Sequence, residues 1–178
     1  YLLLALFAIS CQETDLKEVE SLSNEEELPL VVMENAEIEF TDSAHRQAVI
    51  ASGLVENYTY YNEDNEITNQ KLVMTKGVNA QFYSKSGEVT STMTSYSATR
   101  YENERKTEIE GNVVVVNQQG DSLSTEFLLW DEGSETISSD RKVRVKKADE
   151  IIFAEGFTSD VDFTEYTFKK VTGTISLN

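Results

Sequence analysis

From about residue 34 onward, apolar and polar residues alternate with a period of two, and this pattern constrains the fold more than any other feature. In the stretch AEIEF, for example, Ala36, Ile38 and Phe40 alternate with two glutamates. Similar runs of about five to eight residues, rich in Thr, Tyr and Val, are separated by Gly, Asn and Asp. Such alternation places one set of side chains on each face of a strand. No amphipathic helical pattern follows residue 34, so the sequence predicts an all-β body.

Polar segments between these runs have the composition of turns. Asn62–Glu66 reads NEDNE and Ser84–Gly87 reads SKSG, and Asn, Asp, Ser and Gly are the residues that tight turns favour. The acidic segments Asn62–Glu66 and Asp131–Glu135 do not have the spacing of a regular calcium-binding loop. We therefore expect both to be solvated turns rather than metal sites.

The first eleven residues form a separate unit. Tyr1–Ile9 is almost entirely apolar, but a bilayer span needs roughly 20 such residues. The length fits the apolar region of a signal peptide, and Phe7–Cys11 resembles the processing site of bacterial lipoproteins, with a small residue before the cysteine. We predict that residues 1–11 are a lipoprotein signal peptide ending at a lipidated Cys11. The alternatives are an ordinary signal peptide or a truncated membrane anchor in which Cys11 is incidental.

The segment that follows is acidic and low in apolar residues. Residues 12–28 contain seven acidic residues and one lysine, a composition typical of flexible, charge-extended chains. We predict an acidic flexible tether over residues 12–33 and a folded domain over residues 34–178.

The charge of the chain argues against nucleic acid as a partner. The formal net charge is −17 and the isoelectric point is about 4.3, whereas a phosphate backbone requires a basic surface. Basic residues cluster only in short pieces such as Arg141–Lys147, where their spacing predicts a solvated strand face.

No combination of residues in the chain indicates catalysis. His45 is the only histidine and Cys11 the only cysteine, so a catalytic Cys–His pair or a zinc site has almost no residues to use. Nucleotide-binding, serine-hydrolase and zinc-protease motifs do not occur. We predict that the protein is not an enzyme and holds no metal or cofactor; a hydrolase is the least supported reading.

Several motifs in the second half of the body resemble those of a known family. They are Glu110–Val115 (EGNVVV), Gly120, Leu123–Thr125 (LST), Leu128, Ile137–Asp140 (ISSD), Val143 and Gly156–Phe168 (GFTSDVDFTEYTF). Together they resemble LptC, the membrane-anchored periplasmic component of the lipopolysaccharide export machine. LptA and the amino-terminal domain of LptD share the pattern. The resemblance extends over most of the body.

The resemblance implies both a fold and a function. The fold is an elongated antiparallel β-jellyroll with two facing sheets, open ends and an apolar interior. In this family the groove receives the acyl chains of lipid A from the inner-membrane transporter LptB–LptF–LptG and passes lipopolysaccharide to LptA. Edge strands of the jellyroll would form the contacts with LptF, LptG and LptA. This chain departs from the family in one respect, because well-known members have an uncleaved transmembrane helix where this sequence has Cys11. The resemblance places the anchor in the inner membrane.

Strand alternation gives candidate groove residues. On the strand GDSLSTEFLLWD we expect Leu123, Thr125, Phe127 and Leu129 to face inward and Trp130 to lie outward or at a rim. The complete set of candidates is Ile38, Phe40, Met74, Phe82, Met93, Ile109, Val113, Val115, Leu123, Phe127, Leu129, Phe157 and Phe168. The alternative is that these side chains are ordinary core residues.

A second function remains open on sequence grounds. A lipid-anchored β-sandwich can also serve as a structural or glycan-binding lipoprotein of the outer membrane. Lipid bound to the purified protein would favour the conduit, and exposure of the domain at the cell surface would favour this alternative.

Overall fold

The computed structural model describes residues 28–161 and 165–177, and within them it contains strands and no helix. The strands are β1 Val31–Asp42, β2 His45–Tyr61, β3 Ile67–Tyr83, β4 Val89–Ser95, β5 Ser97–Tyr101, β6 Lys106–Asn117, β7 Ser122–Asp131, β8 Thr136–Lys146, β9 Glu150–Asp160 and β10 Tyr166–Ser176. The predicted all-β fold is therefore confirmed. Among the described residues, no helix is long and apolar enough to cross a bilayer.

The body begins slightly earlier than the sequence suggested. Strand β1 starts at Val31, so the end of the segment expected to be tether belongs to the sheet, where Val31 pairs with Asn57. The predicted signal peptide, Cys11 and residues 12–27 lie outside the described residues.

All ten strands belong to one antiparallel sheet. The order is β1-β2-β3-β4-β6-β7-β8-β9-β10, with β5 continuing the line of β4 between β3 and β6. Neighbouring strands in this order are mostly neighbours in sequence, and short hairpins suffice to connect antiparallel strands. Strands β1 and β10 are the two edges of the sheet.

The segments predicted as turns are turns. In the β2–β3 turn, the side-chain oxygen of Asn62 accepts hydrogen bonds from the backbone N–H groups of Asp64 and Glu66. In the β7–β8 turn, Asp131 accepts in the same way from Gly133 and Ser134. Within the described ranges, no group of three or more His, Cys, Asp or Glu side chains is placed to hold a metal ion.

A line of irregular residues runs across the middle of the sheet, and we call it the crease. The crease comprises Asn35, Gly53, Lys76, Gly77, Tyr96, Gly111, Asn112, Glu126, Asp140, Arg141 and Gly156. Several have positive φ or interrupt the strand register, and such bulges bend strands sharply. At Gly156, with φ +74°, a Cβ would lie 2.7 Å from Lys169 Cβ, so only glycine fits there.

The crease folds the sheet into two layers. The front layer contains residues 36–42, 45–52, 78–83, 89–95, 113–117, 122–125, 142–146, 150–155 and 170–176. The back layer contains residues 31–34, 54–61, 67–75, 97–101, 106–110, 128–131, 136–139, 157–160 and 166–168. Every long strand therefore contributes to both layers.

Ring contacts show that the two layers face each other. The strand register aligns Trp130, through Thr107 and Arg100, with Leu72 of β3. Ten positions of extended strand, about 33 Å, separate Leu72 from Phe82. The rings of Phe82 and Trp130 nevertheless meet edge to face at 5.3 Å. Only a folded sheet brings them together, so the two facing sheets of the expected jellyroll are two halves of one continuous sheet.

Candidate lipid-binding trough

The space between the layers is apolar and runs across the strands, and we call it the trough. Its lining comes from side chains that alternate inward on both layers and form one core cluster. The crease closes one side of the trough, the hairpin turns of both layers border the opposite side, and the edges β1 and β10 mark its ends.

Most of the candidate groove residues lie on the inner surface. Met74, Phe82, Met93, Ile109, Val113, Val115, Leu123 and Phe157 are buried in the core cluster, and Ile38, Phe40 and Phe168 are partly buried against it. Burial establishes their inward position. It does not by itself distinguish lipid contact from ordinary packing.

The expected orientation of β7 beyond the crease is wrong. Leu123 and Thr125 face inward as expected, but the next inward residues are Leu128 and Trp130, which are buried. Phe127 and Leu129 are therefore not on the inner surface of the back layer. Trp130, expected outside or at a rim, is a core residue against Phe82.

The error on β7 comes from the way that strand crosses the crease. The register between β7 and β8 shifts by one residue between Thr125 and Leu129, and a one-residue shift exchanges the two faces of a strand. On β6 the irregularity at Gly111 and Asn112 leaves Ile109 and Val113 four residues apart. Because this spacing is even, both residues face inward on their own side of the crease.

The middle of the trough is closed by side chains. Phe82 from the front layer contacts Trp130 from the back layer, and each ring is in register with a buried hydroxyl, Ser91 beside Phe82 and Thr107 beside Trp130. Within the described part of the chain, neither hydroxyl has a hydrogen-bond partner. A buried hydroxyl without a partner costs about 1–3 kcal/mol.

A buried arginine joins the layers near β1. The guanidinium of Arg100, on the back layer, lies 4.7 Å from the ring centroid of Phe40 on the front layer. Arg100 also forms ion pairs with Glu132, in the β7–β8 turn, and with Glu102. Its side chain is 9% exposed, so the charge depends on these partners. This polar contact closes the trough at the β1 end.

Near β10 the layers leave an apolar pocket. It has about 340 Å³ of empty volume, part of it open to solvent. Its walls are Val115, Asn117, Asp121, Ser122, Leu123, Val145 and Lys147 from the front layer and its turns, and Phe157 and Tyr166 from the back layer. Phe157 and Tyr166 stack with ring centroids 6.1 Å apart.

Lys147 stands at the rim of this pocket. Its Nζ lies 4.8 Å from the ring centroid of Tyr166 and 3.9 Å from a carboxylate oxygen of Glu150. The hydrogen bond with Tyr166 raises the pKa of Lys147 above its ordinary value, while partial burial opposes that effect. The pocket therefore combines an apolar interior with a cation at its entrance.

At both edges of the sheet, part of the inner surface is exposed. At the β1 end, Met33 pairs with the buried Val55, so it lies on the inner surface, yet it is exposed. At the β10 end, Val171 pairs with the buried Ala154 and is likewise exposed. Each end thus presents an uncovered piece of the inner surface beside an edge strand.

Sequence reasoning missed several residues of the trough. Val145 lies in the alternating run Val143–Lys147 and Tyr166 lies two residues before Phe168, so period-two spacing was a usable signal for both. Arg100 had no such signal, because a charged residue suggests solvent exposure. Trp130 was assigned to the wrong face because β7 changes phase at the crease.

The family of the chain agrees with this architecture. A family model described as lipopolysaccharide-assembly, LptC-related, matches residues 1–176. No curated protein matches the chain. The chain belongs to the LptC family. Membership gives it a role in lipopolysaccharide transport, as a periplasmic component of the cell envelope, in a family of transport components rather than enzymes.

Proposed function

We propose that the trough receives the acyl chains of lipopolysaccharide from the inner-membrane transporter LptB–LptF–LptG and passes the lipid to LptA. The observation that carries this proposal is the apolar pocket between the layers, with Val145 and Phe157 on facing walls and Lys147 at the rim. An anchor at Cys11, which lies outside the described residues, would hold the domain at the inner membrane.

The energetics favour an open trough for a conduit. Burial of acyl chains contributes about 0.8 kcal/mol for each methylene group, so complete enclosure of a long chain would slow its release. The layers are joined by backbone at the crease, whereas side-chain contacts such as Phe82–Trp130 hold them together elsewhere. Passage of lipid along the trough then requires these two rings to separate.

The edges suit the partners that this role requires. Strands β1 and β10 each have one side without a strand partner among the described residues, and an extended chain can pair with such a side. The exposed inner residues Met33 and Val171 would be covered by a neighbouring jellyroll. Under the proposal, one edge meets LptF or LptG and the other meets LptA, which makes the trough continuous between proteins.

Equilibrium binding of labelled lipopolysaccharide to the full chain tests the central step. In Val145→Phe, the new ring occupies the pocket and excludes part of an acyl chain. We expect the affinity for lipopolysaccharide to fall about tenfold, because methylene groups of the lipid lose their contacts with the pocket. Val116→Phe is the matched control, because Val116 is partly buried on the outer surface of the same layer. Thermal unfolding of both variants checks that the fold is kept.

Two results would contradict the proposal. One is wild-type affinity in a folded Val145→Phe protein. The other is no lipopolysaccharide binding by the unmodified chain, which would favour a structural or glycan-binding lipoprotein instead.

Photo-crosslinking in cells tests the edges. A photoreactive residue at Glu37 on β1 or at Thr172 on β10 should give adducts with different Lpt proteins. Thr99 on β5, in the interior of the sheet, should give neither adduct.

A further inference from the structure

The outer surface of the front layer carries positive charge at β8, β9 and β10. On β8, the buried Val143 and Val145 alternate with outward-pointing basic residues. The outward residues on these three strands, which we call the basic face, are Lys142, Arg144, Lys146, Ile151, Phe153, Glu155, Lys170, Gly173 and Ile175. Four are cations and one is an anion, in a chain whose net charge is −17. Three basic residues of the segment Arg141–Lys147 are therefore part of a larger surface, the basic face, which extends over three strands.

Most of these cations are available to an external partner. Lys170 lies 3.6 Å from Glu155 and remains 68% exposed. Within residues 28–161 and 165–177, Lys142, Arg144 and Lys146 form no ion pair. Their charge is thus not neutralised inside the fold, and the alternation of β8 places all three on one face.

Large apolar side chains are exposed among these cations. Phe153 is 36% exposed and Ile175 is 51% exposed. Phe153 pairs with Arg144 on one side and with Gly173 on the other. Its ring extends toward the glycine, because its Cδ2 atom is 3.9 Å from the position that a Cβ of residue 173 would occupy. Exposed apolar groups surrounded by cations match the boundary between headgroups and acyl chains at an anionic membrane.

We propose that the basic face binds the surface of an anionic phospholipid membrane, with Phe153 and Ile175 at the level of the headgroups. Electrostatic attraction of each cation to anionic lipid favours this contact, whereas the strongly acidic remainder of the chain is repelled. The same charge distribution orients the domain, because β1 carries four acidic residues and no basic one.

A membrane surface fits the basic face better than an acidic protein does. The cations are spread over strands β8, β9 and β10, and the backbone groups of β8 and β9 are already used within the sheet. Strand addition is therefore not available over most of this face. The inference does not depend on lipid transport through the trough, since the two surfaces lie on opposite sides of the front layer.

The test uses the full chain bound to vesicles, with the photoreactive residue benzoylphenylalanine in place of Phe153. Vesicles of phosphatidylethanolamine with phosphatidylglycerol are compared with vesicles of phosphatidylcholine, and lipid adducts are measured by mass spectrometry. The same residue in place of Tyr101, on the outer surface of the back layer, reports contact that is independent of the basic face.

We expect adducts at position 153, few adducts at position 101, and a lower yield in phosphatidylcholine. Lys142→Gln combined with Lys146→Gln should reduce the yield at position 153 about tenfold. Lys76→Gln combined with Lys85→Gln removes the same amount of charge from two exposed lysines outside the basic face. This double variant should leave the adduct yield at position 153 unchanged. Equal yields at positions 153 and 101, or equal yields in both kinds of vesicle, would overturn the proposal. So would crosslinking of position 153 in cells to a protein and not to lipid.

Discussion

The two layers meet in different ways near the two ends of the trough. Near β1, the buried guanidinium of Arg100 joins the layers through Phe40 and Glu132. Near β10, Phe157 and Tyr166 leave an apolar pocket with an open rim. A buried ion pair is costly to break on one side only, whereas an apolar pocket gains stability when an apolar ligand fills it. Under the proposed function, this difference favours entry of lipid near β10, and we expect the β1 end to be the more rigid.

The largest effect should come from the residue that separates the two ends. Trp130→Ala removes the ring that closes the middle of the trough against Phe82, and loss of a buried aromatic side chain costs about 3–5 kcal/mol. Chemical denaturation should show a decrease of this size in the free energy of unfolding. Leu129→Ala, on the other surface of the same strand, should cost clearly less; equal losses would mean that Trp130 does not close the trough.

The rigid end should respond to the loss of one charge. Among the residues that the structure describes, Glu132→Gln leaves Arg100 with Glu102 as its one ion-pair partner. We expect a destabilisation of about 2 kcal/mol, below the value for a fully buried pair because Glu132 is partly exposed. Thermal unfolding measures the loss. Arg100→Met combined with Glu132→Met should recover part of it. A double variant less stable than Glu132→Gln would argue against an uncompensated charge as the cause.

The crease should respond to a single methyl group. Gly156→Ala places a Cβ against Lys169 at a positive φ, and we expect a loss of about 1–3 kcal/mol in the free energy of unfolding. Gly173→Ala is the matched control on the same pair of strands, because its nearest neighbour, Phe153, is 3.9 Å away. Equal stability of the two variants would show that the bend at Gly156 is not required.

The smallest effect should be a loss of stability at alkaline pH. The pKa of Lys147 is raised by its hydrogen bond with Tyr166, and burial raises the pKa of Tyr101. A raised pKa gives stability that is present below the unfolded-state pKa and is lost as pH rises through the folded-state pKa. We expect less than about 1 kcal/mol to be lost near pH 11.

Denaturation curves at several pH values measure this loss. Tyr166→Phe removes the hydrogen bond that raises the Lys147 pKa, so it should reduce the alkaline loss. A loss of unchanged size in Tyr166→Phe would exclude that hydrogen bond as its cause.

The comparison also shows what the sequence could predict. Period-two alternation identified the strands, because each half of a strand keeps one phase on its own side of the crease. It also placed Ile109, Val113 and Val115 inward, since β6 crosses the crease with an even spacing. It failed for Phe127 and Leu129, because the inward residues of β7 on the two sides of the crease, Thr125 and Leu128, are three positions apart. No local residue pattern predicts this odd spacing.

The polar closure could not be predicted for a different reason. Arg100 lies 60 positions after Phe40 in the sequence, and its burial depends on the folding of the sheet across the crease. Such a contact is a property of the folded layers and has no local signal. The pocket near β10 is likewise formed by residues from five strands and two turns.

Photo-crosslinking in cells at position 166 tests the central claim most directly. Benzoylphenylalanine in place of Tyr166 would lie at the wall of the pocket, and in place of the exposed Thr167 it would point away from the trough. We expect lipopolysaccharide adducts at position 166 and none at position 167. Adducts at neither position, or equally at both, would contradict a trough that carries lipid between the layers.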